Sequence, residues 1–343
     1  MEESSRKIKV GISIGDPNGV GIEIILKIFQ DKRMFDFFTP IVFASTKLIS
    51  FQRKNFNLQT ALSPYALGKK PSNTQINVVE VLNQPFETTF GVATEAGGAV
   101  AIASLKAATK ALKNGEVDVL VTAPINKHNI QSEEFDFPGH TDFLAKELRG
   151  DSLMFMVSDT LRVGLLTDHI PVSEVAAAIQ PELIKIKVAK MKAALIEDFD
   201  IPKPKIALLG INPHTGDNGV IGKEDDSVLR PTIKEIYEQG TLLFGPYAAD
   251  SFFGTDLPQQ FDAVLATYHD QGLIPFKTLT FGNGVNFTAG LSKVRTSPDH
   301  GTAYDLAGKG AAKTQSFEEA LFYARQIFFN RSAHQEYTAA SKQ

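Results

Sequence analysis

Residues 8–30, IKVGISIGDPNGVGIEIILKIFQ, decide how the chain begins to fold. Residues 8–15 are a short run of mostly β-branched apolar residues, which predicts a buried strand that ends in a turn. Isoleucine, leucine and phenylalanine then recur at helical spacing between Ile22 and Phe29. A strand, a glycine-rich turn and a helix in this order open a βαβ unit and indicate an α/β protein.

The turn between this strand and this helix is GDPNGVG, residues 15–21, which is not the GxGxxG dinucleotide fingerprint. A glycine-rich turn at the start of a helix can bind an anion through backbone N–H groups. The signal is weak, and a purely structural turn is the alternative.

The rest of the chain alternates between the two kinds of element. Further strands are predicted over 40–44, 76–82, 117–123, 153–157, 162–166, 205–209 and 263–266, with 153–157 and 162–166 as a possible hairpin. Further helices are predicted over 46–54, 94–114, 143–148, 181–199, 227–239 and 316–330. The run 117–123 is apolar apart from Asp118 and Thr122, which predicts a strand buried on both faces. The alternation predicts an α/β fold.

Length and composition exclude several classes of protein and of site. A chain of 343 residues is long enough for two domains or one large α/β unit. A net charge of -4 gives no electrostatic case for nucleic acid or an anionic membrane as partner. The absence of cysteine excludes disulfides and thiolate chemistry. Without a signal-like or membrane-spanning run, we expect a cytoplasmic protein.

Residues 266–310, ATYHDQGLIPFKTLTFGNGVNFTAGLSKVRTSPDHGTAYDLAGKG, concentrate polar side chains in a run rich in glycine and threonine. The run shows little apolar periodicity and is predicted to be a poor core element. Glycines let backbone approach a ligand closely, and loops often carry function. A candidate site is one interpretation, and an ordinary surface loop is the other.

Three histidines share one context, because His169, His214 and His269 each follow a predicted apolar strand within about one turn. Ligands collect beyond the carboxyl ends of strands in α/β sheets. Three imidazoles with an open position are typical of a catalytic metal site, most often zinc. The alternative is three unrelated loop histidines, each satisfied by a backbone carbonyl.

Other polar residues are candidates for anion binding. His140 and Thr141 precede a predicted helix, where they could hold an anion or simply cap the helix. Arg295 offers a bidentate grip on carboxylate or phosphate, and Lys277 offers a point charge. The alternative for both cations is an exposed position in solvent.

Six motifs follow one another along almost the whole chain. They are IGDPNGVGIEI at 14–24, PGHTDF at 138–143, TDHIPV at 167–172, NPHTGDNGVIG at 212–222, YHDQGLIPFK at 268–277 and VNFTAGLSKVRTSPDHGTAYDLAGKG at 285–310. Together they resemble the 4-hydroxythreonine-4-phosphate dehydrogenase family, PdxA. The last motif is also similar to a segment of isocitrate and isopropylmalate dehydrogenases.

The resemblance implies a two-domain α/β/α sandwich like that of isocitrate and isopropylmalate dehydrogenases. We expect the first domain over 1–130 plus 275–343, and the second over 131–274 with most of the metal ligands. The active-site cleft is then expected between the domains and at the interface of a homodimer.

The resemblance also implies roles for individual residues. The expected ligands of one divalent metal ion (Zn, Mg or Co) are His169, His214 and His269. The expected substrate-binding residues are His140, Thr141, Lys277, Asn286 and Arg295. The expected NAD or NADP site comprises Asn283, His300, Gly301, Thr302, Ala303 and Asp305. Asp250 and Asp270 are candidates for orienting a ligand imidazole or handling a proton.

The implied activity is the NAD-dependent oxidation of 4-phosphooxy-L-threonine to 2-amino-3-oxo-4-phosphooxybutanoate. That β-keto acid loses CO₂ to give 3-amino-2-oxopropyl phosphate, in pyridoxal 5'-phosphate biosynthesis. One alternative is a sibling dehydrogenase that acts on D-threonate 4-phosphate, D-erythronate 4-phosphate or a dihydrodiol. Two remoter alternatives are a three-histidine metal hydrolase without nucleotide and a non-catalytic metabolite-binding protein.

Overall fold

The computed structural model describes residues 7–132, 135–137, 139–148, 150 and 152–341. Pro138, which opens the PGHTDF motif, lies outside these residues. Within them, every helix is too short or too polar to cross a lipid bilayer.

The described chain contains strands and helices in alternation. The strands are β1 (Ile8–Ser13), β2 (Phe38–Ala44), β3 (Leu62–Pro64), β4 (Ile76–Glu80), β5 (Val119–Thr122), β6 (Leu153–Val157), β7 (Arg162–Leu165), β8 (Ile206–Leu209), β9 (Leu243–Tyr247), β10 (Ala263–Ala266), β11 (Val285–Ala289) and β12 (Arg295–Pro298). The helices are α1 (Gly21–Ile28), α2 (Met34–Phe37), α3 (Thr46–Asn55), α4 (Glu95–Lys113), α5 (His140–Glu147), α6 (Val175–Ala178), α7 (Pro181–Glu197), α8 (Arg230–Glu238), α9 (Ala249–Phe253), α10 (His269–Thr280) and α11 (Gln315–Ala340). A π-helical turn, Asp225–Leu229, leads into α8.

The chain divides into two compact units. The first comprises Met1–Asp151 and Leu291–Phe329, and the second comprises Ser152–Gly290 and Asn330–Gln343. The expected boundaries, after residues 130 and 274, fall earlier than these. The difference has a physical reason at each boundary. In α5, Phe143 and Leu144 pack into the apolar core of the first unit, whereas β11 pairs with β6 of the second.

The first unit is built on six parallel strands in the order β3-β4-β2-β1-β5-β12. All seven residues of β2 are buried, as expected for a parallel sheet covered on both faces. Helix α4 packs against β1 and β2. Thr94 caps this helix by accepting a hydrogen bond from Gly97 N at 3.0 Å, which agrees with the predicted start of the helix.

The GDPNGVG turn of the first unit is filled by its own carboxylate. Asp16 is 1% exposed, and its side chain accepts hydrogen bonds from Asn18 N (2.9 Å), Asn129 Nδ2 (2.8 Å) and Tyr304 Oη (2.7 Å). A buried negative charge disfavours a second anion at the same place. The structure therefore favours the structural interpretation of this turn over anion binding.

The second unit contains strands in the order β11-β6-β7-β10-β8-β9. β6 pairs antiparallel with β11 and with β7, so the hairpin predicted over 153–157 and 162–166 is confirmed. The four strands from β7 to β9 are parallel. Their core contains Phe252, Phe276 and Leu209, all buried.

The prediction that residues 266–310 lack core elements is wrong. This stretch forms α10, β11 and β12, and every residue of β12 is buried. Helix α10 buries Leu273 and Phe276 at a spacing of three residues. Its pattern is short and is interrupted by Pro275, which normally argues against a helix interior.

Candidate active site

The carboxyl ends of β7, β10, β8 and β9 lie at one edge of the second unit, because these neighbouring strands are parallel. His169 lies four residues after β7 ends, and His269 begins the helix that follows β10. His214 lies in the loop after β8. The structure thus delivers all three predicted histidines to the same edge, with the β10 histidine between the other two strands.

Two of these histidines lie close together. The ring centroids of His169 and His269 are 5.8 Å apart, with the ring planes tilted by 45°. The Nδ1 atom of His269 lies 2.7 Å from Asp270 Oδ1. A carboxylate at Nδ1 fixes the ring orientation and leaves Nε2 directed elsewhere. The contact suits the expected orienting role of Asp270.

His214 lies in a loop with strained backbone. Its φ is 52°, and that of Thr215 is 55°, in the left-handed region that residues with a Cβ rarely adopt. Asp225 braces the approach to this loop: its buried carboxylate accepts hydrogen bonds from Ile211 N at 2.9 Å and Asn212 N at 3.0 Å. A hydrogen-bonded carboxylate of this kind can maintain a strained backbone.

The hydrogen bonds of the Asp225 carboxylate require a glycine at position 210. A Cβ on Gly210 would lie 2.8 Å from Asp225 Oδ1, so any larger residue would displace the carboxylate. Sequence reasoning did not identify Asp225, because only the folded loop shows which N–H groups its carboxylate receives.

A metal ion is implied by the resemblance, and the donor atoms fit one. Imidazoles suit zinc and cobalt, and the Asp270 contact supplies the outer-shell orientation that metal-binding histidines usually have. Within one subunit, the described residues include no group of three or more His, Asp or Glu side chains placed to hold a metal ion. The metal site therefore stays a prediction.

Asp250, the other predicted catalytic residue, lies exposed in the first turn of α9. This helix follows β9, which is the parallel neighbour of β8. Asp250 therefore belongs to the same edge as the three histidines.

The first unit contains three of the predicted substrate-binding residues: His140 and Thr141 at the start of α5, and Arg295 at the start of β12. Arg295 is 2% exposed, and its guanidinium donates to Thr122 Oγ1 at 2.6 Å from Nη2 and 3.2 Å from Nε. Burial lowers the pKa of Arg295 to about 9. The side chain therefore remains cationic at pH 7.

His140 behaves differently from an ordinary surface histidine. Burial, reinforced by the positive charges of Arg295 and Lys127, holds the pKa of His140 well below 6.5. The imidazole is neutral at pH 7 as a result. Its Nε2 atom is buried without a hydrogen bond from any described residue. An unsatisfied buried nitrogen beside a buried cation fits a site that receives a polar ligand.

The other two predicted substrate-binding residues belong to the second unit. Lys277 is exposed in the last turn of α10. Asn286 is half-buried on β11, opposite Met156 of β6.

The predicted NAD residues are also divided between the two units. Asn283 belongs to the second unit, and residues 300–305 belong to the first. Within 300–305, Thr302 O accepts a hydrogen bond from Val20 N at 3.1 Å, which ties this segment to the GDPNGVG turn.

The predicted NAD residues have features that fit a nucleotide. His300 Nε2 and Asn283 Oδ1 are each buried without a hydrogen bond from a described residue. A Cβ on Gly301 would meet no atom within 4 Å, so space is open beside it. Burial, and a hydrogen bond to Asp16, raise the pKa of Tyr304, so its hydroxyl stays protonated and continues to hold the segment.

Comparison with known proteins gives a consistent result. The family model described as "Pyridoxal phosphate biosynthetic protein PdxA" matches residues 36–324. A 4-hydroxythreonine-4-phosphate dehydrogenase from Bacteroides thetaiotaomicron is 45% identical over 333 residues, covering 96% of this chain and 91% of the relative. A putative D-threonate 4-phosphate dehydrogenase from Oceanobacillus iheyensis is 33% identical over 328 residues, covering 94% and 98%.

A solved structure agrees with these sequence matches. The crystal structure of 4-hydroxythreonine-4-phosphate dehydrogenase from Klebsiella pneumoniae superposes with a TM-score of 0.81 at 30% identity, covering 94% of this chain and all of that one. The predicted α/β fold class is confirmed by this similarity and by the strands and helices described above. From the family match and the 45% identical relative, we conclude that the chain belongs to the PdxA family.

Proposed function

We propose that the chain is a cytoplasmic, NAD- or NADP-dependent 4-hydroxythreonine-4-phosphate dehydrogenase of pyridoxal 5'-phosphate biosynthesis. It oxidises the C3 hydroxyl of 4-phosphooxy-L-threonine to a ketone, and the resulting β-keto acid loses CO₂ to give 3-amino-2-oxopropyl phosphate. The observation that carries the proposal is the delivery of three histidines to one sheet edge, in a chain of this family.

The residues that would hold a divalent ion are His169, His214 and His269. A bound Zn, Co or Mg ion supplies Lewis acidity, which stabilises negative charge on an alcohol oxygen. Asp270 keeps the His269 ring in one orientation through Nδ1. Asp250 lies at the same edge and is the candidate to accept the proton that leaves the C3 hydroxyl.

The substrate carries an anionic group at each end, and separate cations of the chain suit them. Arg295 is buried and can make a bidentate contact, whereas the exposed Lys277 supplies a single ammonium. His140 is neutral at pH 7, so its free Nε2 contributes a hydrogen bond and no charge. Thr141 and Asn286 add hydrogen-bonding groups of the same neutral kind.

The residues proposed to hold the dinucleotide are Asn283 and those at 300–305. Bound NAD would supply the hydride acceptor for oxidation at C3. The buried unsatisfied atoms of His300 and Asn283 give this proposal a local reason, since a ligand would complete their hydrogen bonding. The hydrogen bond from Tyr304 to Asp16 holds residues 300–305 in place.

A homodimer with shared active sites is part of the proposal. Large apolar side chains are exposed close in sequence to two of the histidines: Val172 is 77% exposed and Val220 81%. Exposed apolar groups around a polar centre are typical of a surface that a partner covers. A second copy would exclude water from this edge. Sedimentation of the purified protein tests this, and a monomer at micromolar concentration would contradict it.

The experiment for the proposed activity is a steady-state assay of the metal-loaded protein with NAD and 4-phosphooxy-L-threonine, followed by the absorbance of the reduced nucleotide. The second candidate substrate is D-threonate 4-phosphate, which is favoured by the relative from O. iheyensis. We expect a higher kcat/KM for the amino acid. Preference for the threonate would replace the first function by the second, and hydrolysis without nucleotide would exclude both.

A further inference from the structure

The side chain of Gln271 lies among the three strand ends that precede the proposed metal ligands. It belongs to the first turn of α10, two residues after His269. The sequence marks it only as an amide in a polar stretch. In the structure its amide group makes three hydrogen bonds, and none of them is to its own helix.

The amide joins the ends of β10 and β8. Gln271 Oε1 accepts from Thr267 N at 2.7 Å and from Thr267 Oγ1 at 2.8 Å, just after β10. Gln271 Nε2 donates to Gly210 O at 2.6 Å, just after β8. The amide oxygen therefore binds the residue after β10, and the amide nitrogen binds the residue after β8.

A second pair of bonds adds the end of β7. Thr167 Oγ1 donates to Thr267 O at 2.7 Å, and Thr167 N donates to the same oxygen at 3.2 Å. Both threonines are buried, so these bonds are protected from competition with water. Thr167 lies two residues before His169, Thr267 two before His269, and Gly210 four before His214.

The helix reaches this position because of Gly272. A Cβ there would stand 2.9 Å from side-chain atoms of Val163, Leu165 and Ala266. The absence of a side chain lets α10 lie directly against β7 and β10. Gln271, the preceding residue, is thereby brought within hydrogen-bonding distance of the strand ends.

We propose that Gln271 is a positioning residue for the metal site: its amide joins the strand ends that precede His214 and His269, and Thr267 links this pair to the strand end that precedes His169. This inference rests on the proposed metal-dependent function. Partners that orient ligands typically change metal affinity 10- to 100-fold when they are replaced. A residue that joins two ligand-bearing segments directly, and a third through Thr267, is expected to act in the same range.

The test is the affinity of the full-length protein for Co²⁺ and Zn²⁺, measured by visible absorption and by competition with a chromophoric chelator. We expect Gln271→Met to bind Co²⁺ and Zn²⁺ about 10- to 100-fold more weakly than the unchanged protein. Thr267→Val should weaken binding similarly, and Thr267→Ser, which keeps the hydroxyl, should restore it. Thermal unfolding in excess chelator measures the stability of each variant without metal.

Thr232→Val is the matched control. Thr232 is buried in α8 of the same unit and donates to Val228 O at 2.7 Å, so its loss costs one buried hydrogen bond away from the strand ends. If Thr232→Val lowers metal affinity as much as Gln271→Met does, the loss of affinity reflects general destabilisation of the protein. That result would overturn the inference.

A His214→Ala variant separates this inference from the proposed function. Weak binding by His214→Ala with unchanged binding by Gln271→Met would overturn the positioning role alone. Binding by His214→Ala equal to that of the unchanged protein would overturn the metal site and this inference together.

Discussion

Replacement of Arg295 by methionine should weaken substrate binding much more than it changes the stability of the ligand-free protein. The guanidinium is 2% exposed and donates twice to Thr122 Oγ1. Burial lowers its pKa to about 9, well below the ordinary value of a guanidinium, which corresponds to a cost of at most about 5 kcal/mol for keeping the charge in the folded state. Methionine has a similar length and no charge to desolvate.

Two of the terms that affect the stability of Arg295→Met oppose each other. The desolvation cost disappears, and the bonds to Thr122, each of about 1–1.5 kcal/mol, are lost. Because these terms offset each other in large part, we expect the Tm of the ligand-free variant to stay within about 4 °C of wild type, where 1 kcal/mol corresponds to about 2–4 °C for a unit of this size. In the same variant, loss of a charged hydrogen bond to the substrate should cost roughly 1.5–3 kcal/mol, or about 10- to 150-fold in kcat/KM, mainly through KM.

The assay combines thermal unfolding of the ligand-free protein with initial rates over a range of substrate concentrations. Arg162→Met is the control: Arg162 lies over the Phe199 ring at 5.0 Å and donates to Asp262 O at 3.3 Å in the second unit. It should lose some stability and keep its KM. A wild-type KM in Arg295→Met would refute the placement of this cation in the substrate site.

Three further predictions concern single groups. His140→Gln should flatten the fall of Tm between about pH 7 and pH 5. A histidine whose pKa is lowered in the folded state makes the protein less stable as pH falls below about 6.5, so a Tm profile parallel to wild type would contradict this. Asp225→Asn should lower the unfolding free energy by about 1.5–3 kcal/mol in a denaturant titration and weaken metal binding, since the buried carboxylate accepts two backbone N–H groups; wild-type values for both would exclude the brace. Gly272→Ala should cost about 1–3 kcal/mol in the same titration through overpacking against Ala266, whereas Gly301→Ala, with open space at Cβ, should unfold at the same denaturant concentration as wild type.

Much of the fold followed from local pattern in the sequence. The apolar run at 117–123 predicted β5, and the alanine-rich run at 94–114 predicted α4 to within a residue at each end. In both β5 and α4, the large apolar residues of the pattern are buried, so the pattern alone was sufficient to predict these two elements. The hairpin of β6 and β7 was equally visible, because two apolar runs flank a short polar turn.

The elements that sequence reasoning missed depend on close approach in three dimensions. Helix α10 has only a short apolar pattern around Pro275, and it is stabilised by the fit of Gly272 against β7 and β10. The domain boundaries were placed too early because the packing of α5 and the pairing of β11 are not local properties.

In the candidate site, too, features that follow from local sequence were predicted, and features that depend on distant contacts were not. The strand-end rule predicted that His169, His214 and His269 share one sheet edge, because each histidine follows a recognisable strand, and the order of the strands agrees. It did not find Asp225 or the role of Gln271. Gln271 bonds to Gly210, which is 61 positions away, and such a contact has no signature in either segment. The orphaned Nε2 of His140 likewise becomes visible only when the neighbouring groups are in place.

The central claim is that three imidazoles converge on one divalent ion in the assembled protein. Anomalous diffraction at the zinc edge, from crystals of the full-length protein grown with Zn²⁺, tests this most directly. We expect one strong peak per active site, about 2.0–2.1 Å from a ring nitrogen of each of His169, His214 and His269, whether the three belong to one subunit or two. Zinc bound elsewhere, or three rings that share no peak, would contradict the account.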